Sequence, residues 1–384
     1  MYYNYAVKPK SLYIHWPFCP YKCHFCSFVA IAAHDEYMER YHYALCREIE
    51  VFFKQYDQSL LIETVFIGGG TPSTYPDKLL LDMSGKLKKA VTYHPAVEVT
   101  IEVNPGTLRE EQLEVWKNAG ITRISIGVQS LNDVVLKKLN RHQSSHDVQT
   151  ALIMASKQFD AISIDLIIGL PGISAVEWKQ LLEQVVSWPI NHISIYFLMV
   201  HENTPLYFGV KANKINLPCD DEIVELYYWS IDYLAQYGFV HYEISNFARE
   251  GYRSKHNMTY WQRNPFKGFG LGACSFDGAS RLANEKNLIK YLEGVERDDS
   301  ITIFSETLTR EQIILEKMML GLRQRQGFLL ADVMNDMTES EKISLQHKID
   351  NLVMRNLIIQ QNNYLQLTPA ALAVENEVIV QLSL

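Results

Sequence analysis

The chain has 384 residues, of which 47% are hydrophobic and 21% charged, a composition typical of a globular protein long enough for two domains. Its formal net charge of −8 argues against a nucleic-acid partner, which would favour a basic surface. No run of about 18 apolar residues is present, so no segment is expected to span a membrane. The first six residues lack the apolar core of a signal peptide. We therefore expect a cytoplasmic protein, where clustered cysteines bind metals rather than form disulfides.

Strand and helix patterns alternate six times over the first 200 residues. The predicted strands are residues 12–16, 62–67, 97–103, 122–128, 161–168 and 192–198. The predicted helices are residues 35–56, 76–91, 108–119, 131–138, 145–158 and 174–187, with Gly120 as a helix C-cap. This alternation implies parallel strands joined by right-handed crossovers.

Beyond residue 200 the alternation stops. A helix is predicted over residues 219–237, an irregular aromatic and basic stretch over 245–272, and helices over about 285–297 and 309–323. Residues 327–367 then have the pattern helix, helix, strand, strand, with Asn362 and Asn363 as the turn of the last pair.

Three of the six cysteines, Cys19, Cys23 and Cys26, have the spacing C-x3-C-x2-C. A loop wrapped around a metal centre can direct all three thiols to one point, and three thiolates suit one face of an iron–sulfur cubane with one iron left open. Tetrahedral zinc is the alternative, with His15 or His24 as the fourth ligand. The remaining cysteines are expected to be small buried apolar side chains: Cys46, Cys219 and Cys274.

Glycines or polar residues follow each of the predicted strands. Gly68–Thr71 allows close approach of a ligand, and its free amides can meet a carboxylate; the alternative is a tight turn without a ligand. Glu102 suits ribose hydroxyls or an amino group, and Arg141 suits a carboxylate unless it is a surface residue. Asp165 interrupts an apolar strand and needs a partner, whereas Gln129 could equally be a helix cap. Functional residues after all six strands favour a barrel over an open doubly wound sheet.

The cysteine spacing, with Phe25 before the last cysteine, resembles that of the radical S-adenosylmethionine (SAM) superfamily. The surrounding His15-x-Pro17-Phe18-Cys19 and the later motifs narrow the resemblance to the oxygen-independent coproporphyrinogen oxidase-like branch. The nearest match within that branch is the HemW-type heme chaperones, on the features described below. The resemblance implies a [4Fe-4S] cluster on the three cysteines, with SAM chelating the open iron.

The same resemblance implies an α/β fold: an incomplete parallel (β/α)6 barrel with a small, mostly helical, winged-helix-like carboxyl-terminal domain. The expected divisions are a barrel over 1–240, a heme-proximal segment over 241–300 and the carboxyl-terminal domain over 301–384. Whether one or two SAM molecules bind stays open. The positions that match SAM-binding residues are Tyr13, Phe25, Gly69, Gly70, Thr71, Glu102, Gln129, Arg141, Asp165 and Phe197.

The stretch from His256 to Trp261 has the pattern H-N-x-x-Y-W. By itself it is typical of a loop histidine beside a packed aromatic pair. Its resemblance to the pattern that marks the HemW-type branch implies heme binding, with His256 as the iron ligand. Other candidate ligands are His15, His24 and Cys274.

Two departures decide between the branches. The oxidases have a fourth cysteine where Phe28 stands, and an amino-terminal extension where only 18 residues precede Cys19. The resemblance therefore implies a chaperone that delivers heme to acceptor hemoproteins, with membrane respiratory enzymes among the possible acceptors and a homodimer possible. The alternative is an enzyme that cleaves SAM to a 5′-deoxyadenosyl radical acting on a porphyrin.

Overall fold

The computed structural model describes residues 7–56 and 60–383. The first six residues, for which we expect no signal peptide, lie outside this part. Among the described helices, none has the length and apolar character required to cross a bilayer.

Six parallel strands form the centre of the molecule, in the order β1-β4-β5-β6-β7-β8, as predicted. The first eight strands are β1 Ser11–Trp16, β2 Phe18–Cys19, β3 Ile31–Ala32, β4 Leu61–Gly69, β5 Thr92–Val103, β6 Arg123–Gln129, β7 Ala161–Ile168 and β8 His192–Phe197. The intervening helices are α1 Met38–Phe53, α2 Asp77–Ala90, α3 Glu110–Ala119, α4 Asp133–Lys138, α5 Ser145–Ser156 and α6 Ala175–Val185. Gly120 ends α3 with φ of 96°, as its predicted C-cap role requires.

The stretch predicted to be irregular, residues 245–272, instead contains strands that extend the central sheet. The elements between β8 and the carboxyl-terminal region are α7 Pro205–Lys211, α8 Asp220–Gln236, β9 Val240–Glu243, β10 Asn246–Ala248, α9 Lys255–Trp261, β11 Phe266–Phe269, β12 Cys274–Phe276, β13 Ser280–Asn284, α10 Leu288–Glu296 and β14 Thr302–Thr307. Strand β11 pairs in parallel with β1, and β12–β14 continue beyond it, while β10 and β9 follow β8. The described sheet therefore ends at β14 and β9 without closing, which makes the barrel incomplete.

The carboxyl-terminal region has the predicted order of two helices followed by two strands. It comprises α11 Arg310–Leu322, β15 Phe328–Leu329, α12 Leu330–Met334, α13 Glu339–Met354, β16 Ile358–Gln361, β17 Tyr364–Leu367 and α14 Glu375–Leu382. Asn362 and Asn363 have φ of 51° and 62°, as residues of a tight hairpin turn do. Backbone hydrogen bonds join this region to the barrel, from Ile244 N–H to Arg323 and from Arg325 N–H to Tyr242. The divisions at 240 and 300 stay predictions.

Side chains alternate between the two faces of the central strands. Isoleucine, valine and leucine fill the face against the helices, and polar residues face the lumen. The sequence Ile-Ser-Ile occurs in β6, β7 and β8, so that Ser125 pairs with Ser163, and Ser194 pairs with Asp165, all on the lumen face. We call the carboxyl ends of the six strands the mouth of the barrel and their amino ends its floor.

Candidate functional site

The cysteine loop lies at the mouth, where neighbouring turns hold its backbone. The His24 amide donates to the Leu139 carbonyl at 2.9 Å, beyond the end of α4. The Asn140 side-chain amide donates to the Lys22 carbonyl at 2.9 Å. These bonds fix the loop between β1 and the turn after α4 without using the thiols.

Each of two thiols contacts a residue predicted to belong to the site. The Sγ of Cys19 lies 3.1 Å from the Thr71 hydroxyl, and the Arg141 guanidinium donates to the Sγ of Cys23 at 3.8 Å. Burial raises the pKa of the Cys19 thiol to about 11, although the Thr71 hydroxyl opposes the rise. Burial also raises the pKa of Cys26. Cys19 and Cys26 therefore need a bound cation before they ionise at neutral pH.

At least two of the three thiols in the cysteine loop lie farther apart than the sulfurs of a zinc site. Tetrahedral zinc with bonds of about 2.3 Å holds its sulfurs about 3.8 Å apart. Within the described residues, the one group of three or more potential ligand atoms mutually within 4.8 Å lies elsewhere, so at least one Sγ–Sγ distance in this loop is longer. A cubane spreads its ligands more widely, because each sulfur binds a different iron. His15 is also occupied: its Nε2 lies 2.7 Å from the Val29 carbonyl and its Nδ1 lies 3.0 Å from the Tyr13 hydroxyl.

The glycine loop after β4 is joined directly to the backbone of the cysteine loop. The Gly70 amide donates to the Trp16 carbonyl at 2.7 Å, and the Thr71 amide donates to the Phe18 carbonyl at 2.9 Å. A Cβ atom on Gly70 would lie 2.4 Å from the Pro17 carbonyl oxygen. Glycine is required here because two segments of main chain approach each other.

Two carboxylates lie in the lumen below the mouth. Glu102 accepts a hydrogen bond from the Gly69 amide at 3.1 Å, and Asp165 accepts one from the Ser125 hydroxyl at 3.1 Å. Burial, reinforced by Asp165, raises the pKa of Glu102 to about 8. Burial raises the pKa of Asp165 as well, against its bonds from Ser194 and Ser125. Neither carboxylate forms an ion pair within the described residues, so a cationic ligand would complement both.

Arg141 points into the site rather than to the surface. Its Nε donates to Gln143 Oε1 at 2.7 Å and its Nη2 donates to the Gly127 carbonyl at 3.0 Å. Gln143 in turn donates to Gln129 Oε1 at 3.4 Å. Gln129 has φ of 59°, the left-handed region, at the end of β6. These residues form a connected polar group between the lumen and Cys23.

The three predicted aromatic residues lie in different surroundings. Tyr13 faces the lumen and stacks on Phe66 with ring centroids 6.2 Å apart. Phe25 packs against a small apolar cluster at the mouth that includes Leu139. Phe197 packs on Tyr227 of α8, with ring centroids 5.0 Å apart, away from the carboxylates.

His256 lies at the floor of the barrel, in helix α9 rather than in a loop. Its ring is 1% exposed, with Nδ1 at 2.8 Å from the Thr64 hydroxyl and Nε2 at 2.8 Å from the Tyr260 hydroxyl. Its amide donates to Glu98 at 3.1 Å. Burial lowers the pKa of His256 to about 3, so the ring is neutral. Both ring nitrogens are engaged, and neither is free for iron in this conformation.

A buried ion pair fixes α9 and the segment before it at the floor. Arg123 Nε donates to Glu98 at 3.0 Å, and the two side chains are only 5% and 7% exposed. The same guanidinium donates to the Ser163 hydroxyl at 2.9 Å and to the Tyr252 carbonyl at 2.8 Å. The H-N-x-x-Y-W stretch therefore closes the end of the barrel opposite the cysteine loop.

The scattered cysteines differ from one another. Cys46 is buried, as predicted, whereas the same prediction is wrong for Cys219 and Cys274, which are exposed. Cys219 precedes α8 as its N-cap, outside the core. Cys274 begins β12, the neighbour of β11 in the extended sheet, and is exposed there.

Sequence reasoning missed the residues that support the predicted ones: Ser125, Ser194 and Gln143. The two serines had a detectable signal, because the repeated Ile-Ser-Ile alternates apolar and polar residues with the period of a strand. That pattern predicts one polar face, and Asp165 belongs to the same face of β7. Gln143 lies in a turn and has no comparable signal.

Comparison with known proteins defines the class of this barrel. Residues 13–185 match the model of the radical SAM superfamily, and residues 308–374 match that of the HemN C-terminal domain. Coproporphyrinogen III oxidase (HemN) from Escherichia coli has the same fold, with a TM-score of 0.84 over 99% of this chain and 91% of that one, at 22% identity. The chain is thus a radical SAM protein with a HemN-type carboxyl-terminal domain.

Several curated relatives that share more residues with this chain than the oxidase does are heme chaperones. The heme chaperone HemW of Lactococcus lactis is 30% identical over 97% of this chain and 96% of the relative. The HemW proteins of Synechocystis and Bacillus subtilis are each 34% identical, over 88% and 83% of this chain and 84% of each relative. The chain therefore belongs to the HemW family.

Proposed function

We propose that this protein is a cytoplasmic heme chaperone that binds a [4Fe-4S] cluster, SAM and heme, and delivers heme to acceptor hemoproteins. The observation that carries the proposal is the mouth of the barrel, where three thiols, a glycine loop and two unpaired carboxylates converge in a chain of the HemW family. The acceptors include membrane respiratory enzymes in this proposal. The protein acts as a monomer or as a homodimer.

The loop thiols would hold the cluster. Cys19, Cys23 and Cys26 provide three ligands, and one iron then remains without a protein ligand. The hydroxyl of Thr71 would donate to the ligating sulfur of Cys19 and the guanidinium of Arg141 to that of Cys23, and both donors stabilise thiolate charge.

The glycine loop and the lumen would hold SAM, which bears a sulfonium and an amino group. Glu102 and Asp165 form no ion pair within the described residues, and both would ionise more readily beside these positive charges. Gly69 and Gly70 let its methionine part approach the main chain. When bound together, a reduced cluster and SAM can supply an electron-transfer centre, while the protein contributes orientation and exclusion of water.

Heme binding is the part of the proposal that depends on movement. His256 stays the predicted iron ligand, and ligation requires its ring to leave Thr64 and Tyr260. Cys274 is the exposed alternative, at the start of β12. A neutral imidazole is a competent ligand once it is released.

The test is anaerobic cluster reconstitution followed by heme titration. Cluster-loaded protein is expected to contain about four irons and four sulfides per chain and to give a saturable Soret band. SAM should perturb the EPR spectrum of the reduced cluster. Cys26→Ala should lose the cluster, whereas the exposed control Cys219→Ala should keep it. Absence of saturable heme binding would reject the chaperone and leave a radical SAM enzyme of unknown substrate.

A further inference from the structure

A second group of metal-ligand atoms lies between α1 and α2, outside the lumen. His42 and Cys46 are one turn apart on α1, and both face Asp82 on α2. The Nε2 of His42 lies 3.0 Å from Asp82 Oδ2, and the Sγ of Cys46 lies 3.7 Å from that nitrogen and 4.0 Å from that oxygen. Within the described residues, this is the one group of three such atoms all within 4.8 Å of one another.

The triangle has the size that zinc requires. Tetrahedral zinc with bonds of about 2.0–2.3 Å separates its ligand atoms by about 3.3–3.8 Å, close to the three distances found here. Imidazole, thiolate and carboxylate together are typical zinc ligands, whereas calcium and magnesium prefer oxygen alone. His42 and Cys46 are buried and Asp82 is exposed, so the group opens to solvent on one side.

The surroundings orient the histidine for this role. The Tyr75 hydroxyl lies 2.8 Å from His42 Nδ1, which fixes the ring with Nε2 toward Cys46 and Asp82. One feature opposes a cation: the Lys86 ammonium lies 3.8 Å from Asp82 and donates to Glu50 at 2.9 Å. Removal of this charge should therefore favour a bound metal.

We propose that His42, Cys46 and Asp82 form a Zn²⁺-binding site between α1 and α2, with its fourth position open to water. The site is separate from the cysteine loop and goes beyond the proposed heme function. In the metal-free protein Cys46 is a neutral thiol, because burial raises its pKa to about 12. Binding therefore releases the thiol proton, and it requires the His42 tautomer whose proton is on Nδ1, facing Tyr75.

The site borders the functional mouth through aromatic packing. Tyr75 stacks on Trp16, with ring centroids 3.8 Å apart, and Trp16 ends β1 just before the cysteine loop. A metal at His42 would hold α1, α2 and Tyr75 in one arrangement and so support the start of that loop.

The test uses full-length protein in which Cys19, Cys23 and Cys26 are all replaced by alanine, so that the iron–sulfur ligands cannot bind the probe metal. Co²⁺ should bind at one site with tetrahedral d–d bands and a thiolate-to-cobalt charge-transfer band, and Zn²⁺ should displace it. About one proton per metal should be released, measured with an indicator dye. Absence of saturable Co²⁺ binding would overturn the proposal.

Variants in the same background identify the ligands. Cys46→Ser should abolish the charge-transfer band, and the matched control Cys219→Ser should keep it. Asp82 is exposed, so Asp82→Asn is not expected to impair folding, and it should weaken Zn²⁺ binding by at least about tenfold. Tyr75→Phe should weaken Zn²⁺ binding by about tenfold. Lys86→Met should tighten binding. Retention of the charge-transfer band in Cys46→Ser would assign the probe metal to another cysteine and reject the site.

Discussion

Two carboxylates determine the charge of the lumen below the mouth. Glu102 of β5 and Asp165 of β7 are both buried, and the charge of Asp165 adds to the cost of ionising Glu102. Serine hydroxyls and a backbone amide compensate only in part, because neutral donors offset less than a full opposite charge. An empty site of this kind is less stable than one that contains a cation.

The titration of Glu102 predicts a specific pH dependence of stability. Its pKa is about 8 in the fold and about 4.5 unfolded, so the folded state retains a proton that the unfolded chain loses. This contribution to stability is complete below about pH 4.5 and is lost as the pH rises to about 8. Glu102→Gln removes the loss, and the variant should gain stability relative to wild type between about pH 5 and pH 8.

Urea denaturation of cluster-free wild type and Glu102→Gln at about pH 5 and about pH 8 measures the difference in their free energies of unfolding. The exposed Glu114→Gln serves as the control, and it should show no pH-dependent gain. A difference between Glu102→Gln and wild type that is equal at both pH values would contradict the prediction.

The hydrogen bonds of His256 predict how heme binding responds to substitution. Tyr260→Phe removes the hydroxyl at Nε2 and frees that nitrogen, so heme affinity should rise. His256→Ala should weaken heme binding and shift the Soret band, with iron–sulfur content unchanged. Heme titrations of the two variants, followed by absorbance, provide the comparison. Identical spectra for His256→Ala and wild type would exclude His256 as the ligand and direct attention to Cys274.

At the residue level, the sequence indicated which residues belong to the site better than it indicated the contacts that these residues make. Cys19 and Thr71 could be selected from motifs, but their 3.1 Å contact depends on how two loops meet. The position of His256 at the floor could not be foreseen, because its partners Thr64 and Glu98 lie more than 150 residues away in the chain.

At the level of elements, the contact between the glycine and cysteine loops is main chain against main chain. Gly70→Ala would place a Cβ atom 2.4 Å from the Pro17 carbonyl oxygen, and backbone cannot move aside as a side chain can. The variant should therefore lose cluster iron and sulfide after reconstitution. Gly85→Ala, in α2 with open space around its Cβ, should keep the cluster and stabilise the fold by about 0.5–1 kcal/mol. Equal iron content in the two variants would reject the steric argument.

The floor of the barrel yields a prediction about stability. Arg123→Met leaves Glu98 buried and unpaired, which should cost about 3–5 kcal/mol of unfolding free energy. The double variant Arg123→Met/Glu98→Gln removes that charge and keeps an acceptor for the His256 amide, so it should recover part of the loss. Urea unfolding of wild type, the two single variants Arg123→Met and Glu98→Gln, and the double variant measures the coupling energy between the two side chains. A double variant as unstable as the sum of the single ones would show that the pair does not act as a unit.

Elements with strong local patterns were predictable, and those fixed by distant partners were not. Each barrel strand is an apolar run before a turn, which is why all six appear in the sequence. Strand β11, Phe-Lys-Gly-Phe, lacks such a pattern, and it exists because it pairs with β1 some 255 residues earlier. Its Lys267 is buried beside Glu48 of α1, a contact that no local pattern reveals.

For the whole molecule, the fold alone does not distinguish a chaperone from an oxidase. The chain has the fold of the Escherichia coli oxidase across nearly its full length, yet shares only 22% of its residues with it. Discrimination therefore rests on particular positions. Phe28 stands at the position of the fourth cysteine in the coproporphyrinogen oxidases that the sequence resembles. It is 68% exposed at the mouth.

We predict from this position that the protein does not convert coproporphyrinogen III to protoporphyrinogen IX. Phenylalanine offers no ligand, thiol or proton there, so a reaction that depends on that cysteine has no group to perform it. Cluster-loaded protein with SAM and a reductant should yield no divinyl product, as measured by chromatography of the oxidised porphyrins. The same preparation should contain about four irons and bind heme, which ensures that inactivity does not reflect a missing cluster. Formation of the divinyl product would replace the chaperone with an oxidase whose chemistry proceeds without the fourth cysteine.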